Sequence, residues 1–259
     1  MNIGIQGADR VSIEYRLHFD GGETLSHTVH VDTHSADRQA DIGDQNAPAW
    51  TRLENHQCTN CPYSGSAVSH CPAAVRLSPL IEQLSDRPSN SEVDLEVQTT
   101  ERLVSTRTTL QRAMSSLFGA AIASSQCPHT RFLLPMARFH LPLSSESETV
   151  YRVASMHLLG QHLRRTQGEE VEPGMDDLAD RYRQLGQVNR GLAARLRSAG
   201  KEDVSVNAVI LLDLLARIVP TNIEDELEEL CRWFGVPVTG CEESERDGGA
   251  VPVQQSVAG

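Results

Sequence analysis

The chain has 259 residues, 39% of them hydrophobic, and a formal charge of -12. That length is ample for a buried core in one large domain or two small ones, while the acidic balance disfavours bulk attraction to nucleic acid or an anionic lipid surface. No apolar run reaches the roughly eighteen residues of a membrane-spanning helix, and Met1–Asp9 lacks the basic start and apolar stretch of a signal peptide, so a cytoplasmic location without membrane attachment is expected.

Residues 1–10 read as a flexible arm. Val11, Ile13, Tyr15, Leu17 and Phe19 then alternate with polar residues, the period of a strand with one buried face. A turn at Asp20-Gly-Gly-Glu23 and renewed alternation through Leu25, Val29 and Val31 predict a β-hairpin. Residues 34–47 are polar and aperiodic, hence a loop. Pro72 suits the first turn of a helix, and Ala73, Leu77, Leu80, Ile81 and Leu84 continue a helical apolar stripe, with Pro79 a site for a kink. Val93, Leu95 and Val97 mark a third strand and Leu103–Arg107 a fourth, giving a second hairpin that pairs with the first. From Thr108 the period becomes helical through Leu110, Met114, Leu117, Phe118, Ala121 and Ile122.

The stretch 132–143, with two prolines, reads as irregular. Ser145 or Ser147 caps a further helix with apolar positions Val150, Val153, Ala154, His157 and Leu158. Helices are predicted at 176–199 and 204–219. Pro220 then ends the second of these, and Thr221 caps a last short helix. The expected organisation is a single α+β domain over 11–236, β-rich over 11–107 and helical over 108–236, followed by a disordered acidic tail over 237–259. The fold class is α+β: a small antiparallel sheet of two hairpins packed with a mostly helical remainder.

Chemistry concentrates in the cysteines. Cys58 and Cys61 form a Cys-x2-Cys pair, Cys71 follows after nine residues, and Cys127 stands far downstream just past a predicted buried helix. Of the six cysteines, Cys231 reads as a helix-flank residue and Cys241 falls in the acidic tail. Cys58, Cys61, Cys71 and Cys127 are therefore the candidate metal ligands. Four thiolates suit tetrahedral zinc and equally an iron–sulfur cluster; zinc in a structural four-cysteine site is the leading expectation. His56, His70 and His129 each lie within two residues of a cysteine and are alternative ligands. A thiol-based redox sensor or electron carrier, and a metal-dependent enzyme with an open coordination position, are the competing readings.

Elsewhere the residues read as structure. His140, between apolar neighbours, reads as a satisfied buried histidine. The arginines from Arg152 to Arg197, Arg195 among them, read as solvated helix faces paired with acids. The phosphate loop, the dinucleotide fingerprint, the Gly-x-Ser-x-Gly elbow and the His-Glu-x-x-His motif are all missing, and no catalytic residue is assigned. A protein partner in an interaction or regulatory role fits a non-enzymatic metal protein.

The segments His56-Gln-Cys-Thr-Asn-Cys-Pro62, Thr108-Thr-Leu-Gln-Arg-Ala-Met-Ser-Ser-Leu117 and Pro135-Met-Ala-Arg-Phe-His-Leu-Pro142 resemble those of an uncharacterised bacterial protein family. The resemblance runs from the first hairpin to about residue 235 and implies no activity or catalytic residues.

Overall fold

A computed structural model of the chain describes residues 10–32, 47–65, 67–84, 87–171, 174–200 and 203–237. The predicted arm, apart from Arg10, the predicted loop at 34–46 and the predicted tail from 238 onward, with Cys241, lie outside the described residues. The fold is α+β.

Strands β1 (Arg10–Phe19), β2 (Thr24–Asp32), β3 (Glu92–Gln98) and β4 (Leu103–Thr109) form one antiparallel sheet in the order β2-β1-β3-β4. Both predicted hairpins are present, and they join because β1 pairs with β3, Leu17 opposite Leu95 and Tyr15 opposite Val97. The alternation of β1 and β3 has its simple cause: Val11, Ile13, Tyr15, Leu17, Val93, Leu95 and Val97 are all buried on one face, as the two-residue side-chain period requires. β4 lies at the sheet edge and is mostly exposed.

Helices α1 (Pro72–Gln83) and α2 (Leu110–Ala123) pack with this sheet into one core. α1 starts at Pro72 as the missing proline N–H allows, and Pro79 is accommodated within it. α2 is the pivot of the fold, touching β2, β3, β4, α1 and the long helix Val204–Phe234. Its Leu110, Met114, Leu117 and Phe118 are fully buried; each such side chain stabilises the fold by about 1.5–3 kcal/mol through water exclusion. Two elements of the stretch expected to be irregular are regular: a 3-10 turn at Arg131–Leu133 and the short helix α3 (Leu134–Arg138), which takes Pro135 in its first turn.

α4 (Glu146–Thr166) begins with a full capping box, the Ser145 hydroxyl accepting from the Glu148 amide and the Glu148 carboxylate accepting from the Ser145 amide. Its buried face is Val150, Val153 and Ala154, but Leu158 is exposed rather than part of that stripe. α5 (Asp176–Ser198) follows the prediction closely. α6 does not: it is one helix over Val204–Phe234, running through Pro220 where a break was expected. An interior proline costs a helix about 3 kcal/mol, and the preceding turns of α6, with Val204, Val206, Ala208 and Val209 buried in the main core, are held independently of it. A second, smaller core joins α4, α5 and α6 through Val150, Val153, Leu178, Tyr182, Leu185 and Ala216.

At the centre of β1 the buried Tyr15 hydroxyl meets Ser116 Oγ at 2.9 Å and His140 Nε2 at 2.5 Å. His140 is thus half-buried, with its ring nitrogen hydrogen-bonded. Burial, with the charge of Arg152 nearby, pushes it down to about 4 from the usual 6.5. Between those values the unfolded chain binds a proton that the folded chain refuses. The stabilising effect of neutral His140 is therefore complete above about pH 6.5, declines as pH falls, and is gone below about pH 4, a loss on the order of 3 kcal/mol. Urea unfolding at pH 7 and pH 4 is expected to show a drop for the native chain that exceeds that of His140→Gln by this amount; equal drops would contradict it.

Candidate metal centre

The predicted ligands are placed by three separate devices. The loop that carries Cys58 and Cys61 is closed at its base. Leu53 N–H donates to Ser69 O at 2.9 Å and Cys71 N–H donates to Thr51 O at 2.8 Å, beside a bridge between Arg52 and His70. Within the loop Cys61 N–H donates to Cys58 O at 3.0 Å, the tight turn that two-residue spacing predicts. Cys71 is the N-cap residue of α1, and its sulfur faces the amides of Ala73 and Ala74. Those amides have no acceptor within the helix. Cys127 stands just beyond α2, its carbonyl accepting from Thr130 N–H at 3.0 Å and Thr130 Oγ1 at 3.1 Å, with the His129 amide directed to its sulfur.

α5 forms the wall behind the loop. Thr59 Oγ1 donates to Gln187 Oε1 at 2.5 Å and Asn60 Nδ2 to Gln184 Oε1 at 2.6 Å. Deeper in, the Arg195 guanidinium donates from Nη1 to Arg52 O and from Nη2 to Leu53 O, the latter at 2.8 Å. Arg195 is 1% exposed. It is not the solvated residue expected from the arginine-rich helix, because it falls on the apolar stripe of Val188, Leu192 and Leu196, with Leu192 one turn before it and Leu196 beside it. That register was the available signal.

Gly191 lies one turn from Arg195. A Cβ there would stand 2.6 Å from Cys58 Sγ and 3.4 Å from His56 O. Gly→Ala inside a helix normally stabilises by about 0.5–1 kcal/mol. Here the sign is expected to reverse: Gly191→Ala must displace the Cys58 sulfur, costing about 1–3 kcal/mol as overpacking does, measurable by urea denaturation. A gain in stability would refute the close approach of Cys58 to α5.

Electrostatically the four sulfurs are one group. Ionisation of each of Cys58, Cys71 and Cys127 is opposed by the charges of other members, so every pair among Cys58, Cys61, Cys71 and Cys127 is coupled. Burial is the larger cause: it pushes the Cys58 thiol up to about 11 and the Cys127 thiol up to about 12, and raises Cys71 as well, against a smaller opposing pull from Arg195 on Cys58 and Cys71. All four are free thiols. Among the described residues, no group of three or more His, Cys, Asp or Glu side chains is placed to hold a metal ion.

The neighbouring histidines are otherwise engaged or turned to water. His129 Nε2 bonds to Asn60 O at 2.7 Å, and His70 Nδ1 to Ser69 Oγ at 3.0 Å; His56 is exposed, with φ +50. Several buried polar atoms of residues that build the site have no hydrogen-bond partner among the described residues: Asn60 Oδ1, Gln126 Nε2 and Arg195 Nε. The sequence prediction contained the four sulfurs but neither Arg195 nor Gly191.

No helix among the described residues is long and apolar enough to cross a membrane. Comparison with known proteins returns no matching curated protein and no matching solved structure. A family model does match, over residues 13–235, and on that extent the chain belongs to DUF6901, a domain of unknown function.

Proposed function

We propose that Cys58, Cys61, Cys71 and Cys127 together hold a thiolate-bound metal centre, and that the protein is a metal-binding protein. One observation carries this reading. Sulfurs from a closed loop, a helix cap and a distant turn after α2 all act on one another's ionisation. Clustered part-buried thiols are costly to ionise alone, whereas a bound cation deprotonates them and turns their proximity into binding energy. The raised thiols also argue against a low-pKa disulfide switch, which needs a ready thiolate.

Four thiolates accept either zinc or an iron–sulfur cluster. A single zinc with bonds of about 2.3 Å draws its sulfurs to about 3.8 Å from one another. We favour structural zinc, supported by the depth of Cys71 and Cys127 and by the staple such an ion would make between the loop and the end of α2, with an interaction or regulatory role toward a protein partner. An iron–sulfur cluster with a redox-sensing or electron-carrying role is the second reading, since four thiolates suit it equally.

The test is anaerobic purification followed by determination of iron, acid-labile sulfide and zinc per chain. A brown protein with iron and sulfide supports the cluster. A colourless protein with stoichiometric zinc supports the staple. Protein carrying neither refutes the proposal.

A further inference from the structure

Away from the cysteines, helices α2 to α6 and the connection before α4 line a half-open cavity of about 370 Å³, inside the size range of small-ligand sites. Its wall is mostly aliphatic, including Ala120, Ala123, Met136, Leu185, Leu212 and Leu215. The polar groups on it are few, and the charged ones are of one sign. Arg112 and Arg152 line it, and no carboxylate does among the described residues. Arg152, His140 and Tyr182 form one polar cluster, since Arg152 acts electrostatically on both of the others. Arg152 is anchored by Nη2, which donates to Phe139 O at 2.7 Å and to Met136 O at 3.2 Å. Its guanidinium is held at the wall, partly desolvated by burial and still charged.

Asn189 adds an independent sign. It is 2% exposed, lines the same cavity, and its Nδ2 amide has no hydrogen-bond partner among the described residues. A buried amide left unpaired costs about 1–3 kcal/mol, and natural interiors rarely leave one so. A ligand acceptor in the cavity would relieve that cost.

We infer that this cavity binds a small organic carboxylate with an aliphatic body, its headgroup taken by the cationic wall at Arg152 and its chain by the aliphatic lining. The hydrogen bonds of the Tyr15 hydroxyl to Ser116 and His140 fix the wall at that end. Nothing in this assignment depends on the cysteine centre.

The test is isothermal titration calorimetry of the full chain with octanoate, decanoate and dodecanoate, and with decanol as the uncharged control. Affinity should rise about fourfold per added methylene, from the hydrophobic gain of each buried CH₂, until the cavity is full. Decanoate should bind at least about tenfold tighter than decanol, the advantage of a charge-assisted headgroup contact. Arg152→Gln should abolish that preference and Arg152→Lys should restore it, while decanol affinity stays level. Ala123→Phe should block every ligand; should that variant fail to fold, the arginine pair still decides. Absence of binding at all chain lengths, equal affinity for acid and alcohol, or an unchanged preference in Arg152→Gln would overturn the assignment.

Discussion

Replacing Cys127 by serine is expected to abolish metal binding at the proposed centre, although this residue is fifty-six positions beyond Cys71 in the sequence. Cys58→Ser should do the same. Each removes one of four thiolates, and the loss in affinity should exceed the roughly 10- to 100-fold that disturbing a supporting hydrogen bond around a metal site costs. Because a bound metal stabilises only the folded chain, the loss appears as lowered Tm too; thiolate-bound zinc contributes about 10–16 kcal/mol in small zinc domains. The main core packs the sheet, α1 and α2 through many side chains besides Cys71 and Cys127. The variants should therefore remain folded while melting well below the native protein. Cys231→Ser, on α6, is the control and should retain metal and Tm. Full metal occupancy in Cys127→Ser would show that the far cysteine is not a ligand.

Arg195→Met carries the second large effect. The side chain it replaces is buried, and methionine follows its aliphatic stem but not its donors. The carbonyls of Arg52 and Leu53 lose their guanidinium partner. At about 1–3 kcal/mol for each acceptor left unpaired, the variant should lose on the order of 3–5 kcal/mol. The penalty should be larger with the metal bound, because Arg195 also acts on Cys58 and Cys71 and a four-thiolate centre carries negative charge. Urea unfolding of loaded and metal-free protein separates the two contributions. Arg195→Lys keeps the charge but not the two-pronged donation, so it should recover the metal-dependent part more than the metal-free part. Equal losses in both states would confine Arg195 to holding the loop.

The elements that could be read from the residues are those whose pattern answers to a single surface. β1 and β3 alternate because one face of each is buried and the other is wet. α2 repeats at helical spacing because the core surrounds it. The hairpins were legible for the same reason, and so was their pairing with each other, but alternation does not choose the strands that meet, and the seam of β1 against β3 is seen only in the fold. α4 was harder: its outer face keeps Leu158, Leu159 and Leu163 exposed, so apolar residues there do not report burial. α6 was misread at Pro220, where a local rule predicted a stop and the helix continues to Phe234.

At the cysteine site, spacing alone named the sulfurs, since a two-residue gap already specifies a turn. The wall behind them depends on which face of α5 meets the loop. That is a matter of tertiary register, invisible in a stretch where many arginines share neighbouring helices. Only the placement of Arg195 on the stripe of Val188, Leu192 and Leu196 distinguishes it from the rest. Gly191 gave no signal, because a helical glycine shows its purpose only when the sulfur it admits is in view.

X-ray absorption spectroscopy of the anaerobically purified protein tests most directly that the four sulfurs share one metal centre. The metal is predicted to have sulfur neighbours only, at about 2.3 Å. Cys58→Ser, Cys61→Ser, Cys71→Ser and Cys127→Ser should each lose a thiolate sulfur from that shell or lose the metal, with Cys231→Ser unchanged. Nitrogen or oxygen neighbours in the native protein, or an unchanged sulfur shell in Cys127→Ser, would contradict a common centre.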